Sequence, residues 1–294
     1  MTLAQLGSLD LAYDTFGDPS AEPLLLVMGL GGPLIWWETG LCEQLADAGF
    51  HVIRFDNRDT GQSTKIRGKV TLPGIVGAFL GLPVKRPYGL EEMAEDAFAL
   101  LDHLGIESAH LVGMSMGGMI VQTMAVSHPE RVRSLTSIMS TTGKRTVGWQ
   151  DPRILPALLT PANGQEGFVR NSVRIWSLIE SPAFRLTQAR KVYNAEATWE
   201  YGVSAAGTGR QMMAVLTQRD RTRDLGRLTV PALVVHGLSD RMVHVSGGRA
   251  TSMAIPGSEL LLIKGMGHDL PEPLWPTYVA AIRRTASRAT QHAG

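Results

Sequence analysis

Short apolar runs alternate with longer segments of helical periodicity along most of the chain. Several runs are apolar at every position, which is typical of parallel strands covered by helices on both faces. The predicted strands are 11–16, 23–29, 51–56, 109–114, 134–140, 231–237 and 259–265. The helices predicted between them are 37–49, 90–105, 116–128 and 247–255. This alternation predicts an α/β fold with a doubly wound, mostly parallel sheet and helices on both faces.

Two stretches interrupt this alternation. Residues 142–228 contain no convincing strand, and they are predicted to form a helical cap inserted between two parts of the core, 1–141 and 229–294. Residues 71–84 are apolar and rich in glycine, and basic residues flank them on both sides. Their apolar centre, roughly 13 residues, is too short to span a bilayer. We expect this segment at the mouth of a pocket, as a mobile lip or a lipid-contacting patch; a surface loop tucked under the cap is the alternative.

Composition and charge exclude several classes of protein. Hydrophobic residues make up 44% and charged residues 19% of the 294 positions, which is typical of a globular protein with a sizeable core. The net charge of +1 gives no reason to expect a nucleic-acid partner. Cys42 is the single cysteine, which excludes an internal disulfide framework. The start of the chain lacks signal-peptide character, so we expect a cytoplasmic protein without stable membrane insertion, and its oligomeric state stays open.

The segment LVGMSMGGM, residues 111–119, contains the candidate nucleophile Ser115. A Gly-x-Ser-x-Gly pattern is weak evidence in a chain with 32 glycines, but here it stands between a predicted strand and a predicted helix. Gly113 and Gly117 permit the tight turn that such a junction requires. The turn would direct the serine hydroxyl at the helix N-terminus, where free N–H groups stabilise negative charge.

A nucleophilic serine needs a general base, and the base needs an orienting acid. Asp240 follows the strand 231–237, and His268 follows the last predicted strand. The order Ser115, Asp240, His268 is the one that an α/β-hydrolase triad requires. His244 is kept as a second choice for the base, and His236 is expected to pack beneath the site.

Five motifs together resemble the α/β-hydrolase superfamily over essentially the whole chain. They are Gly113–Gly118, Asp56–Ser63, Val27–Leu30, His236–Asp240 and Gly267–His268. The chain looks most like the branch that contains aclacinomycin methylesterase and related actinobacterial and mycobacterial esterases. The resemblance implies an eight-stranded, mostly parallel sheet, and an oxyanion hole formed by the N–H groups of Leu30 and Met116. Two positions depart from the pattern: Met28 precedes Gly29 where the family often has histidine, and Asp59 replaces the first glycine of the D-x-R-G-x-G-x-S loop.

The expected reaction is hydrolysis of carboxylic esters, with short- to medium-chain acyl groups or methyl esters, through an acyl-serine intermediate. The alternatives are a thioesterase or phospholipase, a perhydrolase-like enzyme, a C–C hydrolase, and a binding module without catalysis. The sequence shows no metal-ligand spacing, phosphate loop or dinucleotide fingerprint, so we expect no metal and no cofactor.

The substrate pocket is expected between the cap and the sheet. Bulky apolar side chains suited to an acyl chain or an aromatic ring are its predicted lining. They are Met28, Trp36, Trp37, Met114, Met116, Trp176, Phe184 and Met266. Residues 143–228 also carry 13 Lys and Arg against 7 Asp and Glu. This excess could steer an anionic ester, and a solvated helical surface would have the same composition.

Overall fold

Eight strands form one sheet in the computed structural model, which describes residues 1–158, 160 and 163–290. The strands are β1 (Thr2–Leu6), β2 (Leu9–Phe16), β3 (Glu22–Val27), β4 (Phe50–Phe55), β5 (Ala109–Met114), β6 (Val132–Ile138), β7 (Ala232–Gly237) and β8 (Glu259–Ile263). Their order in the sheet is β1-β2-β4-β3-β5-β6-β7-β8. β2 runs antiparallel to both its neighbours, and every other pair is parallel. The predicted eight-stranded, mostly parallel sheet is confirmed.

Helices cover both faces of the sheet and fill the long connection between β6 and β7. The α-helices are α1 (Thr39–Asp47), α2 (Leu72–Phe79), α3 (Leu90–His103), α4 (Met116–Ser127), α5 (Leu155–Leu158), α6 (Gly164–Ile179), α7 (Gln188–Tyr201), α8 (Ala205–Leu216), α9 (Thr222–Leu225), α10 (Ser246–Ala254) and α11 (Trp275–Thr290). Short 3-10 helices lie at Leu34–Trp36, Pro129–Arg131, Pro152–Ile154 and Glu272–Leu274. None of the helices in the described ranges has the length and apolar character needed to cross a bilayer.

The alternation of side chains along each central strand produces two apolar layers. On β3, Leu25 and Val27 join the layer that contains residues of α3 and α4. Leu24 and Leu26 point to the other face, where they join residues of α1 and α11. Because both faces are covered in this way, β4, β5 and β7 are buried at every position. This explains the continuously apolar runs in the sequence.

β1 was not among the strands that the sequence pattern predicted. It lies at the edge of the sheet and pairs only with β2. Of its five residues only Ala4 is buried. An edge strand that packs one side chain into the core carries almost no hydrophobic pattern, so its sequence does not stand out.

Residues 142–228, which we call the helical insertion, contain α5–α9 and no strand within their described part. α6 and α7 pack against each other, and α8 packs against α2. The sequence pattern did not predict α2. Thr71 caps this helix by accepting a hydrogen bond from the Gly74 N–H at 3.3 Å. Gly77 and Ala78 are its buried residues, whereas Leu72, Val76, Phe79 and Leu80 are exposed.

Candidate active site

Ser115 lies at the junction between β5 and α4, in a backbone conformation that few side chains adopt. Its φ is 57° and its ψ is −120°. Two hydrogen bonds hold this turn: the Ser115 N–H donates to the Ile138 carbonyl at 2.8 Å, and the Ser140 hydroxyl donates to the Ser115 carbonyl at 2.8 Å. A conformation of this kind costs about 1–3 kcal/mol and persists where the surroundings over-determine it. It leaves the serine side chain half-buried at the start of α4.

The flanking glycines are required by the close approach of α4 to the sheet. A Cβ on Gly117 would overlap the carbonyl oxygen of Val27 on β3. A Cβ on Gly113 would overlap the carbonyl group of Gly117 itself. The obstacle is backbone in each case, so no side-chain movement would relieve it. The glycine spacing therefore follows from the packing of helix against strand.

Asp240, His268 and Ser115 form a continuous hydrogen-bonded chain. The distance from His268 Nδ1 to Asp240 Oδ2 is 2.7 Å, and that from His268 Nε2 to Ser115 Oγ is 3.0 Å. The other oxygen of Asp240 accepts the N–H groups of Met242 and Val243, at 2.8 and 2.9 Å. Since a carboxylate only accepts hydrogen bonds, Nδ1 carries the imidazole proton and Nε2 is left to accept from the serine hydroxyl.

The loop that carries His268 is attached to the helical insertion. The His268 N–H donates to the Ile179 carbonyl at 2.7 Å, and the Gly267 N–H donates to Ser181 Oγ at 2.8 Å. The Ser181 N–H in turn donates to Asp269 Oδ1 at 2.9 Å. Burial raises the pKa of Asp269, and the hydrogen bonds that it accepts from the Ser181 hydroxyl and N–H act in the opposite direction. The end of α6 therefore helps to place the candidate base.

The other two histidines near Asp240 are engaged elsewhere. The His244 ring stacks on Trp149 with centroids 3.9 Å apart, and its Nδ1 lies 3.0 Å from Ser246 Oγ. His236 is fully buried, with Nε2 2.8 Å from the Val243 carbonyl and 3.5 Å from Asp240 Oδ2. Burial lowers the pKa of His236. The structure thus brings His268, and not His244, to Ser115.

Residues 28–34, which we call the oxyanion loop, lie directly against the serine. A Cβ added to Gly29 would be 3.1 Å from the Ser115 Cβ. Within the described parts of the chain, neither the Leu30 N–H nor the Met116 N–H has a hydrogen-bond acceptor. Both amides predicted for an oxyanion hole are therefore available, one on the loop and one at the N-terminus of α4.

Side chains from the end of β4 hold the oxyanion loop in place. Asp56 Oδ1 accepts the Leu34 N–H at 2.6 Å, and the Asn57 amide donates to the Met28 carbonyl at 3.0 Å. The second oxygen of Asp56 accepts the Gln62 N–H at 2.8 Å and the Tyr201 hydroxyl at 2.9 Å. Burial raises the pKa of this carboxyl group.

The predicted pocket lining divides into core residues and boundary residues. Met28, Trp37, Met114 and Met266 belong to the apolar layer beneath α1 and α11, and each is at most 5% exposed. This burial leaves them little surface for contact with a substrate, and their place in the pocket lining stays a prediction. Met116 is buried in the opposite layer and contributes through its backbone.

Trp36, Trp176 and Phe184 are only partly buried. Trp36 donates a hydrogen bond from its indole to Thr198 Oγ1 of α7 at 3.0 Å. Its ring meets that of Trp176 of α6 edge to face, with centroids 5.2 Å apart. This pair stands at the boundary between the core and the helical insertion. Part of the surface of both rings is free at this boundary, and the two residues stay the predicted wall of the pocket.

A cavity of about 500 Å³ borders the acid end of the triad. Its lining combines residues of the insertion, such as Trp149, Arg153 and Arg185, with Asp240 and Arg241 of the core. Neither Ser115 nor His268 lines it. In the described ranges, no group of three or more histidine, cysteine or acidic side chains is arranged to hold a metal ion.

Comparison with known proteins places the chain in a family. A family model for the alpha/beta hydrolase fold matches residues 22–272, and the chain belongs to that family. It is 29% identical over 300 residues to rhodomycin D methylesterase DnrP of Streptomyces peucetius, covering 93% of this chain and 94% of that protein. It is 27% identical over 252 residues to 3-oxoadipate enol-lactonase 2 of Acinetobacter baylyi, with 81% and 79% covered.

Among solved structures, a thermophilic esterase from Thermogutta terrifontis shares the fold, with a TM-score of 0.69 and 23% identity over 96% of this chain and 94% of that chain. At that identity the likeness supports the fold alone. The resemblance to the α/β-hydrolase superfamily is confirmed, and the chain is a hydrolase of that family.

Proposed function

We propose that the protein hydrolyses carboxylic esters, with Ser115 as the nucleophile, His268 as the general base and Asp240 as the orienting acid. The observation that carries the proposal is the hydrogen-bonded chain from Asp240 through His268 to Ser115, with links of 2.7 and 3.0 Å. A histidine that accepts the serine proton while a carboxylate holds its other nitrogen can activate the hydroxyl for attack on a carbonyl carbon.

In the first half of the reaction Ser115 Oγ bonds to the ester carbonyl carbon as its proton passes to His268 Nε2. The carbonyl oxygen becomes an oxyanion, and the N–H groups of Leu30 and Met116 would stabilise it. Collapse of this intermediate breaks the bond to the alcohol, which leaves with the proton from His268. Each oxyanion donor is worth about 3–4 kcal/mol of barrier in enzymes of this kind.

In the second half a water molecule attacks the acyl-serine while His268 takes its proton. The oxyanion again forms within reach of the same two amides. Its collapse breaks the bond to Ser115 Oγ, which regains a proton from His268, and the carboxylic acid is released. Asp240 stays ionised throughout and stabilises the transient imidazolium.

We further propose that the substrate is a methyl or other small-alcohol ester of an acid with a bulky apolar part. The similarity to a rhodomycin D methylesterase over 93% of the chain supports this class. The partly buried Trp36 and Trp176 offer aromatic surface at the boundary between core and insertion. In this proposal the helical insertion acts as a cap that covers the acyl group.

Hydrolysis of p-nitrophenyl esters of increasing length by wild type and by Ser115→Ala, Asp240→Asn and His268→Ala tests the proposal. We expect each single variant to lose roughly 10⁴-fold or more in kcat, and combined variants to lose little further because the triad acts as a unit. His244→Ala is the matched control and should retain activity, since its ring stacks on Trp149. Near-wild-type turnover by Ser115→Ala would refute the assignment.

The substrate class is tested separately with the matching p-nitroanilide, an acyl-CoA, a phospholipid and aromatic methyl esters. Because p-nitrophenol is a much better leaving group than p-nitroaniline, we expect the enzyme to cleave the esters and leave the anilide nearly untouched. Comparable rates on ester and anilide would contradict the esterase proposal. Labelling of wild type by a fluorophosphonate, lost in Ser115→Ala, separates an enzyme from a binding module.

A further inference from the structure

Gln211 of α8 connects the helical insertion to two segments of the core, the oxyanion loop and the loop that follows β4. The residue is completely buried. Its Oε1 accepts the Gly31 N–H at 2.8 Å, and its Nε2 donates to the Arg58 carbonyl and to Thr60 Oγ1, each at 2.8 Å. One amide group therefore joins the oxyanion loop to the loop that follows β4, across more than 150 positions of sequence.

The hydrogen bond to Gly31 holds the peptide immediately after Leu30. Gly31 has a φ of +66°, a left-handed conformation that is open to glycine and costly for other residues. Within the described residues Gln211 is the one acceptor of its N–H, because the other hydrogen bonds that hold the loop involve Met28, Gly32 and Leu34. Without the glutamine, this N–H would lose its acceptor. The Leu30–Gly31 peptide would then be restrained mainly by the turn that the Gly32 N–H closes on the Gly29 carbonyl at 3.2 Å.

α8 itself is fixed to the core independently of Gln211. The adjacent Arg210 makes a two-pronged ion pair with Asp59, with nitrogen–oxygen distances of 2.6 and 2.8 Å. Arg210 also donates to the Gly68 carbonyl at 3.0 Å. A change confined to the Gln211 side chain therefore leaves α8 docked, and it acts locally on the oxyanion loop and on the loop that follows β4.

We propose that Gln211 is a positioning residue for the reaction: it acts through Gly31 to aim the Leu30 N–H at the oxygen that becomes negative in the transition state. The inference rests on the proposed ester hydrolysis at Ser115. It adds that the insertion supplies a part of the catalytic geometry and does more than cover the substrate.

Such a role has a kinetic signature that a purely structural role lacks. An oxyanion donor acts mainly in the transition state, so misplacing it lowers kcat while KM changes little. Complete removal of one such donor costs roughly 10²–10³-fold in kcat. A donor that is displaced but still present should lower kcat by less, about 10- to 100-fold.

The test compares Gln211→Met, Gln211→Glu and Gln218→Met by steady-state kinetics on a short p-nitrophenyl ester, with the melting temperature of each variant measured alongside. Gln211→Met keeps the size of the side chain and removes all three hydrogen bonds. Gln211→Glu retains an acceptor for the Gly31 N–H, so it should recover part of the lost kcat. Gln218 is the matched control, because its amide bonds to Val215 and Arg221 and does not touch the oxyanion loop.

We expect kcat to fall about 10- to 100-fold in Gln211→Met, with KM within about threefold and with partial recovery in Gln211→Glu. A trifluoromethyl ketone, which forms a tetrahedral adduct on the serine, should lose affinity in parallel with kcat/KM. A non-reactive acid product should bind as in wild type. Gln218→Met should keep the wild-type kcat even if its melting temperature falls.

Three results would overturn the inference: a kcat within twofold of wild type in Gln211→Met, equal losses of kcat in Gln218→Met, or equal losses of affinity for the ketone and the product acid. Failure of the proposed function would look different, because wild type itself would then show no turnover that depends on Ser115. In that case the inference would fall with it.

Discussion

At the scale of single residues, the candidate site depends on positions where no side chain fits. Gly117 is the sharpest case, since any Cβ there would meet the Val27 carbonyl oxygen of β3. Gly209 of α8 is also helical, but a Cβ there would meet nothing within 4 Å. Replacing each of the two glycines by alanine therefore separates the cost of close backbone packing from the general preference of helices for alanine over glycine.

We predict opposite signs for the same substitution at these two positions. Gly117→Ala should lower the free energy of unfolding by about 1–3 kcal/mol through overpacking, and should impair catalysis by moving the Met116 N–H. Gly209→Ala should raise the free energy of unfolding by about 0.5–1 kcal/mol. Urea unfolding of both variants measures the difference, and an unchanged stability in Gly117→Ala would contradict the packing explanation.

At the scale of elements, α2 is the helix whose apolar side chains have no cover. Leu72, Val76, Phe79, Leu80 and Leu82, which we call the apolar patch, are each between 49% and 66% exposed. Between Asp59 and Glu91 the sequence contains five basic residues and no acidic one. Exposed apolar side chains within a basic segment fit the surface of an anionic lipid layer. The sequence-based expectation of a lipid-contacting patch therefore stays our prediction, now assigned to α2 and to Leu80 and Leu82, which follow it.

Replacing Leu72, Phe79 and Leu80 together by serine should weaken binding to vesicles of phosphatidylcholine and phosphatidylglycerol. Hydrolysis of long-chain, aggregated esters should fall, while that of soluble acetate esters should not, because the triad is untouched. Met253→Ser is the control, since Met253 is 82% exposed on α10, outside the patch. Co-sedimentation and paired assays measure both effects. Equal losses on the two kinds of ester would favour a structural role for α2.

At the scale of the whole molecule, the helical insertion is held to the core by a buried ion pair. Asp59 has a φ of +73° and stands where the family pattern has glycine. Its carboxylate accepts Arg210 of α8 at 2.6 and 2.8 Å and the Tyr88 hydroxyl at 2.6 Å. Burial raises the pKa of Asp59, but the Arg210 and Tyr88 hydrogen bonds outweigh it and the pKa lies below its ordinary value. The carboxylate that Asp59 introduces in place of the family's glycine is therefore paired with Arg210 of the same chain.

Asp59→Gly and Arg210→Met should each lower the free energy of unfolding by about 3–5 kcal/mol, because each leaves a buried charge without its counterion. The double variant should lose less than the sum of the two, by about 1–3 kcal/mol. Chemical unfolding of all four proteins in the cycle measures this coupling. Additive losses would show that Asp59 and Arg210 act independently.

A second ion pair between insertion and core provides the comparison. Arg190 of α7 contacts Glu38 at 2.9 Å, but both side chains are more than 40% exposed. Arg190→Met should therefore change the free energy of unfolding by no more than about 1 kcal/mol. A loss as large as that of Arg210→Met would mean that burial does not decide the strength of these contacts.

Hydrophobic pattern and motif spacing were enough to predict the alternation of strands and helices. They also predicted Ser115 and Asp240 as site residues, with His268 preferred to His244 as the base. Seven of the eight strands were predicted, and the pattern is strongest in β4, β5 and β7, where helices cover both faces and every position is buried. Ser115, Asp240 and His268 could be recognised locally, because each lies within a few residues after the end of a strand. Parallel strands bring those ends to one edge of the sheet. The sequence also showed that Asp59 replaces the family's glycine, but it did not show that Arg210 is the partner of this carboxylate.

The packing of the complete chain decides which apolar residues are core, excludes His244 as the base, and fixes what holds the oxyanion loop. Trp37 and Trp36 are neighbours in sequence, yet one is buried in the core and the other meets the insertion. Gln211 bonds Gly31 from 180 positions away, and nothing near either residue indicates the contact. Hydrophobic periodicity reports how each segment meets solvent, whereas hydrogen bonds between distant segments depend on where the whole chain places them.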